Sequence, residues 1–169
     1  MKILIRGLLI VVGLIAVLLS VSYIVSGGET VIVNTVEINK SPYDVFDYIA
    51  DMRNELKWNP DAQFMEKKSE GAIDVGTVFR AKWHMSDTLD VTVSQYYPPY
   101  WVTFENGGPI EVTLKLVLSK KADTTQLEST FKATPHGFVR VIFPIVKSKM
   151  KAREKENMVN LKRALEGTD

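Results

Sequence analysis

From Gly76 to Ala133 the apolar residues recur with a period of two, and no other feature of the chain constrains its fold as strongly. "GTVFRAKWHM" (76–85) sets Phe79, Ala81, Trp83 and Met85 against Arg80, Lys82 and His84. "DTLDVTVSQYY" (87–97) sets Leu89, Val91 and Val93 against Asp90, Thr92 and Ser94. "IEVTLKLVLS" (110–119) separates Ile110, Val112, Leu114, Leu116 and Leu118 from Glu111, Thr113 and Lys115, and "TQLESTFKA" (125–133) continues with Leu127, Ser129 and Phe131. Successive side chains of a strand point to opposite faces, so one apolar face per strand predicts an antiparallel sheet covered on one side. "SEGAIDVG", "MSD", "YYPPY", "NGGP" and "KKADT" supply turn residues between the segments, which a meander connects most economically.

The flanks have a different period. "TVIVNTVEI" (30–38) is rich in β-branched residues and is read as a strand. Ser41 then stands as an N-cap with Pro42 at the first helical position and Asp44 in the first turn, ahead of Val45, Phe46, Tyr48 and Ile49 at helical spacing. That helix runs into "KWNP" (57–60), an abrupt ending for a helix that only covers a sheet. At the other end, "IVKSKMKAREKENMVNLKRALEG" (145–167) is built of strong helix formers, places Met150, Met158, Leu161 and Leu165 near one face, and closes on Gly167 as a C-cap. Pro144, in the very apolar "GFVRVIFPI" before it, is expected to kink or restart the helix. A chain of 169 residues has room for one such core and an appendage.

The appendage is amino-terminal. From Gly7 to Val25 no residue carries a charge, close to the roughly 20 apolar residues that span a bilayer. A retained anchor, a cleaved signal peptide and a buried core helix compete for this run; its length exceeds a usual signal-peptide core, which favours the anchor. Lys2 and Arg6 precede it and Glu29 is the first charge after it, so the positive-inside rule puts the amino terminus in the cytoplasm and the domain outside, at the cell membrane. The expected division is residues 1–28 as anchor and Gly-rich joint and 29–169 as one domain, held close to the bilayer surface.

The formal charge is +1, and Lys2 and Arg6 supply two of the positive charges, so the domain has no global field to attract nucleic acid. Cysteine is absent, which excludes disulfides, thiolate metal sites and cysteine nucleophiles. No phosphate-binding loop, dinucleotide fingerprint or nucleophile elbow occurs, and no cofactor is implied. His84, Asp87 and Asp90 offer a metal possibility without recognised ligand spacing, and no metal is assigned. Glu105 and Thr103 would reach the interior beside Trp101 if that strand presents this parity inward; an acid there would serve proton transfer. Lys147, Lys149, Lys151, Arg153 and Lys155, interleaved with Glu154 and Glu156, read as a solvated helix face. Joined to Phe138 and Ile142 they also make an apolar wedge followed by cations, which suits contact with anionic headgroups.

The order strand, capped helix with Lys57, Trp58, Asn59 and Pro60 at its exit, antiparallel strands and one long terminal helix resembles the helix-grip superfamily over residues 30–166. That superfamily includes START lipid-transfer domains, the birch-pollen allergen (Bet v 1) type and small bacterial polyketide cyclase/dehydrase-like proteins, the last being the closest likeness. The resemblance implies an α+β fold in which a curved sheet wraps the terminal helix and leaves a cavity closed by the short helices. Strand parity then turns Phe79, Trp83, Met85, Leu89 and Val91 toward it, with Leu114, Leu116 and Phe131 from the later strands. Trp101 and Met150 extend this apolar lining, and Trp58 is either its lid or an ordinary core aromatic. A membrane-tethered module for a hydrophobic small molecule or lipid fits such a lining. A cyclase/dehydrase-like enzyme using an acid in the cavity is the alternative, and an interaction domain with a filled cavity the third.

Overall fold

A computed structural model describes residues 2–25, 28–84 and 86–167, and within the first helix the side chains at 5–21 and 23. The elements are α1 (Lys2–Val25), β1 (Thr30–Ile38), α2 (Pro42–Ala50), a 3₁₀ helix (Met52–Lys57), β2 (Ala62–Lys67), β3 (Val78–Trp83), β4 (Leu89–Tyr97), β5 (Trp101–Asn106), β6 (Ile110–Lys121), β7 (Thr124–Pro135) and α3 (Val139–Glu166). Strands β2 to β7 follow one another in chain order and β1 joins beside β7, giving a seven-stranded sheet β1-β7-β6-β5-β4-β3-β2 with every pair antiparallel. β1 has the bounds expected from its β-branched run.

Register and burial agree on which face is inside. Phe79 opposes Val91, Val93 opposes Phe104, Val102 opposes Leu116, and Leu118 opposes Leu127. All eight are buried in one core cluster, to which α2 adds Val45, Phe46, Ile49 and Ala50. α2 starts where its signals place it: Ser41 Oγ accepts from Asp44 N at 3.2 Å, with Pro42 at the first position. It does not run on into Trp58. Asp51 ends it in extended conformation and caps the 3₁₀ helix, accepting from Arg53 N at 3.1 Å.

Two expectations on β5 are corrected. The pairing of β4 with β5 is irregular between Val93 and Gln95, so Ser94 is an extra residue that resets the alternation. Trp101 then lies opposite Tyr97 and Val117, Thr103 opposite Gln95 and Lys115, and Glu105 opposite Thr92 and Thr113. Those are outer-face positions. Trp101 stacks on the exposed Tyr97 with ring centroids 4.4 Å apart and sits beside the Lys115 ammonium, so it does not line the interior.

α3 begins at Val139, earlier than expected, and continues through Pro144. Its carboxyl-terminal half is fastened to β1. Glu166 Oε1 accepts from Asn39 N at 2.7 Å, Lys162 Nζ donates to the Glu37 carbonyl, and Gly167 closes the helix in the left-handed region with φ 67°. At the other end the Arg140 guanidinium lies 4.8 Å from the centre of the Tyr23 ring, joining the end of α1 to the start of α3. The described apolar side chains of α1, Leu8 to Leu19 among them, are exposed. Among the described residues no helix is long and apolar enough to cross a membrane. The expected transmembrane helix is therefore not part of the fold these residues establish.

Candidate ligand-binding site between the lid and the terminal helix

The Trp-Asn-Pro exit is organised around a carboxylate. Asn59 accepts from Asp61 N at 3.0 Å through Oδ1, turning the chain past Pro60, while its Nδ2 donates to Glu55 Oε1. The Glu55 carbonyl accepts from the backbone of both Trp58 and Asn59, at 3.2 and 2.9 Å. From β3 the Trp83 indole Nε1 donates to the same Glu55 Oε1 at 2.8 Å. Asn54 Nδ2 donates to the Tyr48 carbonyl at 2.9 Å and keeps the 3₁₀ helix against α2. Asp61, just beyond the exit, pairs with Arg153 of α3 at 2.8 Å, and this ties the lid to the middle of the terminal helix.

Glu154, beside that Arg153, faces the interior. Glu55 and Glu154 are both partly buried, and the atoms packed around their carboxyls keep much of the surrounding water away. Burial pushes the Glu55 carboxyl up from its ordinary range, against the pull of its bonds to Trp83 and Asn59. Glu154 is pushed up to about 7, by burial first and then by repulsion from Glu55, against one hydrogen bond from Asn157. Two carboxyls of opposing elements are thus close enough to repel one another, and Glu154 holds its proton to near neutrality. This reverses the expectation that Glu154 belongs to the solvated face.

Three side-chain atoms near this level of α3 are buried without a hydrogen-bond partner: Asn34 Nδ2, Ser129 Oγ and Asn157 Oδ1. Asn34 and Ser129 are directly opposite each other on β1 and β7. Asn157 is only 5% exposed, and its amide nitrogen serves Glu154. Lys162 meets β1 at Glu37. Asn34, three residues back, is about 10 Å along the strand, close to two helical turns, which brings it level with the turn holding Glu154 and Asn157.

The residues expected to line the interior divide into two sets. Phe79, Val91 and Leu116 are 0%, 3% and 5% exposed and belong to the packed core. Trp58, Trp83, Leu89 and Leu114 are only partly buried where they pack against that core, and Phe131 and Met150 also keep partial exposure. Trp58 is thus neither a free lid nor a sealed core residue. Trp101 is on the outer face, and Met85 lies outside the described residues. Among the described residues no group of His, Asp and Glu is placed to hold a metal ion, His84 with Asp87 and Asp90 included; Asp90 is paired with Lys68 and Arg80. Sequence reasoning missed Glu55, Asn59, Glu154 and Asn157. Glu154 did carry a signal: it is four residues from both Met150 and Met158, on the apolar stripe itself.

A curled antiparallel sheet gripping one long terminal helix, with two short helices at its mouth, is the helix-grip architecture of the Bet v 1-like proteins. Residues 29–166 match the family described as polyketide cyclase / dehydrase and lipid transport, and the chain belongs to that family. Among solved structures the fold is similar to a protein from Thermus thermophilus, at 12% identity and TM-score 0.66, with 80% of this chain and 97% of that one covered. Ara h 8.0201 aligns at 13% identity and TM-score 0.61, covering 82% of this chain and 98% of its own. The di-domain ARO/CYC BexL of the BE-7585A biosynthetic pathway aligns at 12% identity and TM-score 0.62 over 79% of this chain; the chain spans 49% of that protein. No curated protein matches the sequence.

Proposed function

We propose that this protein is a membrane-tethered module that holds a hydrophobic small molecule or lipid between the sheet and α3. The observation that carries the reading is the concave face itself. Trp58, Trp83, Leu89, Leu114, Phe131 and Met150 keep accessible apolar surface around a closed core, with polar groups converging at one end. Apolar lining with few polar groups is what a hydrophobic ligand needs, and the family description includes lipid transport. Tethering rests on the uncharged run from Gly7 to Val25 and on the unbroken helix Lys2–Val25 with exposed apolar side chains. Lys2 and Arg6 favour a domain outside the cytoplasm. Phe138 and Ile142 are 73% and 47% exposed beside the end of α1, and with Lys147, Lys149 and Lys151 they suit the headgroup region. Native mass spectrometry of the full chain, released from nanodiscs after expression in a lipid-rich host, should show a bound small-molecule mass on the protein. A chain that is always bare would favour a side-chain-filled interior. A carboxyl-terminal reporter active only in the cytoplasm would overturn the orientation.

A second reading, a cyclase/dehydrase-like enzyme, is favoured by the Glu55–Glu154 pair. Two partly buried carboxyls that repel one another would provide an acid and a base together near neutral pH. Loss of turnover in Glu154→Gln with ligand binding retained would select this reading over the carrier.

A further inference from the structure

We propose that the carboxyl pair of Glu55 and Glu154, with the unpartnered Asn157 carbonyl beside it, is a binding site for a cationic head: the ligand is an amphiphile with a protonated amine at one end of its apolar body. This rests on the hydrophobic-ligand reading above and names the chemistry of the polar end.

The balance of donors and acceptors points to a cation. Around the pair the donors serve the carboxyls: Trp83 Nε1 and Asn59 Nδ2 both reach Glu55 Oε1, and the Asn157 amide nitrogen serves Glu154; the unpartnered Asn34 Nδ2 and Ser129 Oγ, on β1 and β7, carry no charge. Beside the two carboxyls stands a further acceptor, Asn157 Oδ1, which has no partner, in a residue only 5% exposed. An unpaired buried acceptor calls for a donor, and beside two carboxyls a charged donor also offsets their repulsion. The cation beside the pair on its own helix, Arg153, is committed to Asp61 and Glu156. Lys57, at the end of the 3₁₀ helix, donates to Asn54, and Lys162 reaches Glu37 and Glu166. From β1 and β7 the groups level with Glu154 are the uncharged Asn34 and Ser129, and β3 offers only the Trp83 indole. An ammonium has three donors and no acceptor, and one placed here would offset both the burial that chiefly holds the proton on Glu154 and the repulsion from Glu55 that adds to it. A fatty acid would bring a third carboxylate to the same place.

The test uses three probes with one tail: dodecylamine, dodecanol and dodecanoic acid. Each is titrated into the full chain in phosphatidylcholine nanodiscs, with empty nanodiscs as the partition background. Dodecylamine is expected to bind at least about tenfold more tightly than the other two at pH 8. Its affinity should fall about tenfold or more at pH 5.5, where Glu154 takes up a proton that the ammonium must displace. Glu154→Gln should reduce that pH dependence to the part Glu55 contributes and weaken the amine while leaving dodecanol unchanged. Dodecanol or dodecanoic acid binding best to the unmutated protein would overturn the cationic head while leaving the hydrophobic site standing. None of the three binding above background would overturn the hydrophobic-ligand reading itself. The comparison of heads needs no variant, so it stands even if Glu154→Gln folds poorly.

Discussion

The two halves of α3 are one continuous helix with opposite relations to the rest of the molecule. Toward its carboxyl end Asn157, Met158 and Leu161 are buried, Leu165 packs against the core, and bonds from Lys162 and to Glu166 fasten it to β1. Toward its amino end Phe143 is buried, but Phe138, Ile142 and Ile145 are exposed and the following lysines face solvent. Helical periodicity alone does not separate them, because both halves are amphipathic. The difference lies in what covers the apolar face: the sheet in one half, and nothing among the described residues for Phe138, Ile142 and Ile145 in the other. Between the halves is Glu154, where a polar group occupies a position the apolar stripe would give to a hydrophobe. One helix therefore contributes core, candidate site and free apolar surface in succession.

The largest effect that would break this comparison is in the fastened half. Leu161→Ala should cost about 2 to 5 kcal/mol, the range for emptying a fully packed leucine site, read as a lowered urea midpoint. An effect no larger than that of a surface change would mean that this half is not core. Next comes pH. Glu154 holds its proton to about 7 in the folded protein against an ordinary value near 4.5, so between those values the folded state binds more protons than the unfolded one. Stability should therefore be greatest at the acid end of that window and decline as pH rises to 7, by up to about 3 kcal/mol. Glu55 shifts in the same direction, whereas Asp51 and Glu166 are held low by their hydrogen bonds and act below the window. Glu154→Gln should remove the share of the decline that Glu154 contributes, read in urea melts at pH 5 and pH 8, and leave the share of Glu55. Smaller again is Trp83→Phe, which keeps an aromatic ring but takes from Glu55 one of its two side-chain donors. It should cost about 1 to 3 kcal/mol and drive the Glu55 carboxyl still further up, visible as a steeper loss of stability with rising pH.

How much of this the sequence disclosed depends on whether a local rule or a tertiary arrangement decides the residue. Period two placed Phe79, Val91, Leu116 and Leu127 inside, because parity along a strand is a local property. Ser41 and Gly167 were legible for the same reason: a cap is a matter of two or three neighbouring residues. β5 was not. "WVTFEN" carries large side chains at both parities, and its assignment turns on one extra residue at Ser94 in the strand beside it. The carboxyl pair was hidden differently, since Glu55 and Glu154 are far apart in the chain and each sits among other charges. Only the meeting of the lid with α3 makes them a pair. Pro144 is expected to kink or restart the helix, and α3 does not restart there but runs through it from Val139, a case of tertiary context overriding propensity.

The smallest expected effect on stability tests the free half directly. The chain has no cysteine, so a single introduced thiol can carry an environment-sensitive fluorophore without competition. Ile145 is 69% exposed in the amino-terminal half and Val159 is 43% exposed in the carboxyl-terminal half. Ile145→Cys and Val159→Cys should each change stability by no more than about 0.5 kcal/mol, as exposed substitutions usually do. If the free half rests in the headgroup region, the label at 145 should shift its emission to the blue in vesicles containing anionic lipid, and the shift should shrink at high salt as the attraction of the lysines is screened. The label at 159, on the half fastened to β1, should report water in every case. Equal shifts at both positions would mean that the domain as a whole lies against the bilayer and that the halves do not differ in this respect. No shift at either would leave the exposed Phe138, Ile142 and Ile145 without a membrane role, and the division of α3 would then be one of packing alone.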